Sequence, residues 1–162
     1  MSRASAYAAA TMTVTVTEAL TINSKDYGSS QSFTIASVAN VHRKLLTVTT
    51  TEAIIMTMNP TAMGAGSHID EKVKYMRFTN LDDTNFITLT FRNQDNDEVA
   101  IKLDAGKTFI WVGDNSDGMN LVMNATEDAD AASSTNFGSL TNIQADADTG
   151  SCDLEIFVAE VA

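Results

Sequence analysis

The sequence predicts an all-β fold: an antiparallel two-sheet β-sandwich of about ten strands, with a jelly roll as one form of it, preceded by an extended N-terminal arm. Three observations predict this. Apolar residues and threonines alternate with a period of two through several segments, the mark of half-buried strands. The joints between these segments are rich in Asp, Asn and Gly, the residues that turns select. No segment reads as a helix with conviction, and many short strands without helices mean a sandwich or a barrel.

The elements follow in order. Residues 1–10, "MSRASAYAAA", read as an arm, because small residues and one tyrosine cannot build a core. Ala8 to Ala10 could take a helical turn. Residues 11–162 read as a single domain. In "TMTVTVTEALTI", Met12, Val14 and Val16 face one way and Thr11, Thr13, Thr15 and Thr17 the other. "KDYGSSQ" reads as a loop, "SFTIASVANV" and "KLLTVTT" as two strands, and "AIIMTM" as another. Helix competes over Glu52 to Met58, but the β-branched residues there favour strand. "NPTAMGAGSHIDE" is a long break with Pro60, Gly64 and Gly66. "VKYMRFTN", "FITLTF", "EVAIKL" and "TFIWVG" then read as an antiparallel meander, with Gly106 supplying a positive φ in a tight hairpin. Beyond the acidic "TEDADAASSTNFG" lie strands "LTNIQAD" and "CDLEIFVAEV". In the last, Cys152, Leu154, Ile156 and Val158 point inward, Asp153 and Glu155 outward. Threonine is β-branched and its hydroxyl tolerates water, so it makes an uncharged strand face that suits solvent first and a partner second.

Composition narrows function. A length of 162 residues fits one domain at roughly 100–200 residues each. Such a domain buries about two-thirds of its unfolded surface, so it needs neither disulfide nor metal to fold. A net charge of −11 disfavours contact with nucleic-acid phosphates. Cys152 is the single cysteine, which excludes an intrachain disulfide and the cysteine-pair zinc patterns. The first residues lack the apolar block of a signal peptide, and no apolar run approaches the ~20 residues of a membrane span. The expectation is a chain made in a cytoplasm without a standard export signal.

Chemistry is sparse. His42 sits in "NVHRKL" and His68 in "GAGSHIDE", two residues before Asp70. A triad would need a nucleophile brought to one of them. Ser67 and Cys152 are available, but neither lies in a nucleophile-elbow sequence. Both histidines are expected at the surface, and Cys152 as an inert core residue beside Asp153. "NQDNDE" (93–98), "DNSDG" (114–118) and "DADTG" (146–150) offer oxygens at calcium-like spacing. None fits the EF-hand pattern, and turn chemistry explains each better; "DADTG" is the least poor candidate. A carboxylate pair for glycoside hydrolysis carries no information among so many acids. Trp111 alternates with Phe109 and reads as core. The glycines at 64 and 66 lack the lysine and helix of a phosphate loop. No catalytic, cofactor-binding or metal-binding residue is assigned, and no cofactor is expected.

The segment "YMRFTNLDDTNFITLTFRNQDNDEVAIKLDAGKTFIWV" resembles small β-sandwich virion proteins of tailed bacteriophages, notably marine ones. There, a strand ending in an Asn-rich turn precedes a Thr-rich strand, and a hairpin follows that is matched here by Lys102, Leu103, Ala105, Gly106 and Phe109. The match covers about a quarter of the chain and holds no chemistry, so no functional residue carries over. The resemblance implies a non-enzymatic virion structural protein: a capsid decoration or cement protein that binds the major capsid protein or other virion proteins. It further implies a homo-oligomer, with a trimer favoured, located in the virion after assembly in the host cytoplasm. Neither nucleic acid nor membrane is an expected partner. The alternative is a tail or fibre recognition module for a host-surface glycan or receptor, which would need exposed aromatics or a calcium ion. An enzyme would need a cleft with perturbed acids or histidines.

Overall fold

A computed structural model describes residues 8–58, 67–94, 96–113, 122–123, 135–136 and 140–162. The strands in chain order are β1 (Ala10–Glu18), β2 (Thr21–Ile22), β3 (Lys25–Asp26), β4 (Ser29–Val48), β5 (Ala53–Met58), β6 (Ser67–His68) and β7 (Val73–Asn80). They continue with β8 (Ile87–Asn93), β9 (Glu98–Leu103), β10 (Thr108–Val112), β11 (Val122–Met123), β12 (Thr135–Asn136), β13 (Leu140–Ala147) and β14 (Cys152–Val161). A 3-10 turn, Asp70–Lys72, precedes β7, and among the described residues there is no α-helix. The all-β expectation therefore holds, and the β-branched run of β5 is strand.

Two five-stranded sheets carry the fold, in the orders β1-β4-β14-β7-β10 and β6-β5-β13-β8-β9. All pairings within them are antiparallel except β5 with β6, which is parallel. A curled half-barrel is part of the arrangement. One core cluster takes side chains from both sheets: Met76, Phe78, Leu154, Ile156 and Val158 from the first, Met56, Ile87, Leu89, Phe91 and Ile143 from the second. Phe91 joins the sheets most visibly. Its ring meets Phe78 edge-on at 6.2 Å and Trp111 at 5.1 Å, separations at which aromatic pairs attract. Trp111 is half-buried against this core, as its alternation with Phe109 predicts.

Four sequence expectations change. The segments read as two strands between Ser32 and Thr50 form one strand, β4. Its first half pairs with β1 and its second with β14. Ser37, at φ 60°, marks the joint, and the β1 register shifts opposite it. A single left-handed residue bulges the strand and bends it without ending it. The bend lets Val14, Ile35 and Val38 pack with Tyr75 and Ala159 in a second cluster. The "KDYGSSQ" loop is mostly hairpin: β2 and β3 pair across Asn23 and Ser24. The meander is not a meander. β8 and β9 form a hairpin in one sheet, while β7 and β10 pair in the other, so the joints after β7 and after β9 cross between sheets. Gly106 does take φ +67°, in a turn closed by the Lys107 N–H donating to the Asp104 carbonyl at 3.1 Å, but that turn makes a crossing. Last, Ala10 opens β1 and takes no helical turn. The arm expected over residues 1–10 otherwise lies mostly outside the described residues.

The threonine faces have a definite role. Thr15 pairs its hydroxyl with Ser32 at 2.9 Å, Thr17 with Ser30 at 3.2 Å and Thr79 with Thr108 at 3.1 Å, each across neighbouring strands. Cross-strand hydroxyl pairs of this kind hold register without charge.

Candidate functional site

Three side chains from three strands converge at one edge of the molecule. On β14 the inward residues Cys152, Leu154, Ile156 and Val158 are buried, and Glu160 continues their parity to the end of the strand. It is only 1 % exposed, a rare position for a carboxylate. On β4 the corresponding positions are Val48, Leu46, Lys44 and His42, paired with Cys152, Leu154, Ile156 and Val158. The strand thus turns polar on its core-facing side as it leaves the core. From the other sheet, β6 brings His68, which is 6 % exposed.

Glu160 is held from both sides. Its Oε1 lies 2.6 Å from His68 Nδ1 and its Oε2 lies 3.3 Å from His42 Nε2. The two imidazole rings meet edge to face, with centroids 4.9 Å apart. Burial pushes the Glu160 carboxyl up. The His68 hydrogen bond and the charges of His68 and His42 more than offset this, and the carboxyl sits below its ordinary range. Above the cluster a cavity of about 360 Å³ opens between β4 and the β5–β6 edge, with Lys44, Ile55, Ser67 and Ile156 among its walls. Among the described residues, His42, His68 and Glu160 are the group of histidine, cysteine and acidic side chains able to share a metal ion, with donor atoms within 4.8 Å of one another.

The surface-histidine expectation therefore fails for His68, and fits His42, whose side chain is half exposed. A β-strand alternates inside and outside, and the Gly-rich surroundings of His68 hid that it belongs to one. Glu160 was missed altogether, although the parity of β14 pointed to it.

Other candidates disperse. Cys152 is fully buried, and burial, followed by the charges of Asp82, Asp148 and Asp153, pushes its thiol up. It stands eight residues from Glu160 along β14, roughly 26 Å at ~3.3 Å per residue, so no Cys–His pair forms. In "DADTG" the Asp148 carboxylate accepts from the Thr149 N–H at 2.6 Å, and Thr149 Oγ1 donates to Asn85 at 2.9 Å; this is turn chemistry. In "NQDNDE" the Asn93 side chain accepts from the Asp97 N–H at 2.8 Å within the β8–β9 hairpin. "DNSDG" and the glycines at 64 and 66 lie outside the described residues.

On the outer face of the first sheet, Glu155 binds Arg43 at 2.5 Å and also pairs with Arg77, while Arg77 lies over the Phe157 ring at 5.9 Å. The two guanidinium hydrogen bonds hold the Glu155 carboxyl below its ordinary range. These groups bridge β4, β14 and β7, one carboxylate between two guanidiniums, so they read as a brace across the sheet. In sequence comparisons the chain matches no protein family and no curated protein.

Proposed function

We propose that the chain is a non-enzymatic virion structural protein, a capsid decoration or cement protein that works by contact with capsid subunits and with its own copies. Two features support this reading. The first is strand order. Set aside β1 and β6, and the sheets run β4-β14-β7-β10 and β5-β13-β8-β9. Counting these eight strands along the chain, the orders are first, eighth, third, sixth and second, seventh, fourth, fifth. We read these orders as those of a jelly-roll sandwich, an architecture used by viral capsid domains and also by lectins. Fold alone does not carry function.

The observation that carries the proposal is the distal β1–β4 hairpin. Residues 15–32 are all exposed, yet they include Val16 at 43 %, Leu20 at 52 %, Ile22 at 50 % and Tyr27 at 55 % exposure. An isolated two-stranded hairpin is marginal in water. A hairpin that stands off the body with apolar side chains at its tip fits a neighbour that covers it. β1 is also the outermost strand of its sheet, with an edge open to strand addition. Repetition around a lattice would multiply a modest contact by avidity. The glycan-binding alternative needs exposed aromatic faces; Trp111 packs on Phe91, and the exposed Tyr27 ring carries Lys25 Nζ at 5.1 Å.

The test is sedimentation of the purified chain beside a Leu20→Ser, Ile22→Thr, Tyr27→Ser variant. The wild type is expected to form a symmetric oligomer, with a trimer favoured, and the variant to dissociate while keeping its β-sheet circular dichroism. A wild type that remains a 17.4 kDa monomer at every concentration would count against the reading.

A further inference from the structure

We infer that His42, His68 and Glu160 form a binding site for a divalent transition-metal ion of the zinc class. The donor set is two imidazoles and one carboxylate, which suits zinc and its neighbours. Calcium and magnesium, which want six or more oxygens, are not served by it. The donor atoms lie within 4.8 Å of one another, so an ion must draw the cluster inward, and the contacts about Glu160 are already near the spacing it needs. With metal–ligand bonds of ~2.0–2.2 Å, two tetrahedral donors sit about 3.3 Å apart. His42 Nε2 and Glu160 Oε2 are 3.3 Å apart. His68 Nδ1 and Glu160 Oε1 are closer, at 2.6 Å, because they share a hydrogen bond. An entering ion takes the place of that bridging proton: the Nδ1–H bond breaks, a metal–nitrogen bond forms, and the proton passes to Nε2 of a neutral ring, or to solvent where the ring already carries a proton there. The fourth coordination position faces the cavity beside Lys44 and Ser67, where a water or a small anion can sit.

A buried carboxylate has two oxygens to satisfy, and a single ion pair meets it from one side. Here two imidazoles approach its two oxygens from different sheets, a convergence that a simple ion pair does not require. The architecture also gives the ion a mechanical role. β6 is two residues long and, among the described residues, pairs only with β5. Metal bound by His68 of β6 together with His42 of β4 and Glu160 of β14 would fasten that short edge strand to the opposite sheet.

The test is calorimetric titration of Zn2+ into chelator-treated, tag-free full chain, repeated in two buffers of different ionisation enthalpy. One ion per chain is expected, and the difference in heat between the two buffers counts the protons released per ion. Loss of a residue that only hydrogen-bonds a metal ligand commonly costs about 10–100-fold in metal affinity, so loss of a ligand itself should cost at least about 100-fold. Glu160→Gln should show this, and so should His42→Ala, whose half-exposed position leaves the fold intact. Ca2+ and Mg2+ should not compete. No saturable 1:1 binding by the wild type, or equal affinity in His42→Ala, would overturn the site. Competition by Ca2+ at comparable concentration would overturn the nitrogen-donor assignment.

Discussion

Asn80 shows how much one polar side chain can organise. It closes β7, has no solvent exposure, and makes three side-chain hydrogen bonds to backbone. Its Nδ2 donates to the carbonyls of Asn85 at 2.9 Å and Leu103 at 3.1 Å, and its Oδ1 accepts from the Asp82 N–H at 3.0 Å. Those partners belong to the joint after β7 and to the end of β9, so one residue ties both inter-sheet crossings. Asp82 continues the work by accepting from the N–H groups of Thr84 and Asn85, and these bonds hold its carboxyl below the ordinary range. Asn80→Ala would take one donor from each of the two carbonyls and the acceptor from the Asp82 N–H. The expected loss is about 2–4 kcal/mol, read as a lowered urea midpoint at unchanged m. The sequence showed an Asn-rich turn here, but composition cannot tell a solvated asparagine from one that anchors a crossing. The same limit hid Glu160: its neighbours predicted a strand with an inward face, but a charged residue at its end reads by default as exposed.

The long hairpin from β1 to β4 turns on Asn23 and Ser24, at φ 51° and 62°. Positive φ at both central residues is the requirement of a type I′ turn, where Asn is welcome first and Gly second. Serine at the second position carries the left-handed cost, so Ser24→Gly should stabilise the tip by roughly 0.5–1 kcal/mol. Amide exchange at the Tyr27 N–H, which donates to the Leu20 carbonyl at 2.8 Å, should slow by about two- to fivefold. Unchanged or faster exchange would refute the strain. Glycine signals misplaced this turn in the sequence. Gly28 is there for a different reason: a Cβ on it would stand 2.7 Å from the Glu18 carbonyl, so the two chains need the space. Alternation made β1, β9 and β14 legible, since local periodicity is written in the residues themselves. Which strands share a sheet was not legible, because a joint of a few Asp and Gly residues can close a hairpin or carry the chain across to the other sheet. "LDAGKTF" looks the same in both cases, and pairing is decided by contacts distant in sequence.

Charge acts on the molecule as a whole, and acid should separate two opposing effects. The chain carries −11 at pH 7 with a pI near 4.3, so self-repulsion relaxes as the pH falls from 7 toward 5. Against this stand Asp82, Glu155 and Glu160, whose folded carboxyls all lie below their ordinary values. A carboxyl lowered on folding binds fewer protons in the native state than in the unfolded one. Its contribution is complete above the unfolded value, 4.5 for Glu160, and is lost as pH falls through the lower folded value. Stability should therefore hold or rise slightly between pH 7 and 5 and decline below about 4.5. Glu160 is the most enclosed of the three and joins the two sheets through His68, so its protonation should loosen the β6 edge along with the global fold. Glu160→Gln removes one titrating group and replaces a charged acceptor by a neutral amide. The variant should be less stable at pH 7 and should lose less on acidification than the wild type. Urea midpoints measured from pH 3 to 8 would resolve the two curves. Curves that stay parallel below pH 4.5 would mean that Glu160 does not couple the sheets to protons, and the acid limb would then belong to the surface brace at Glu155 and the turn at Asp82.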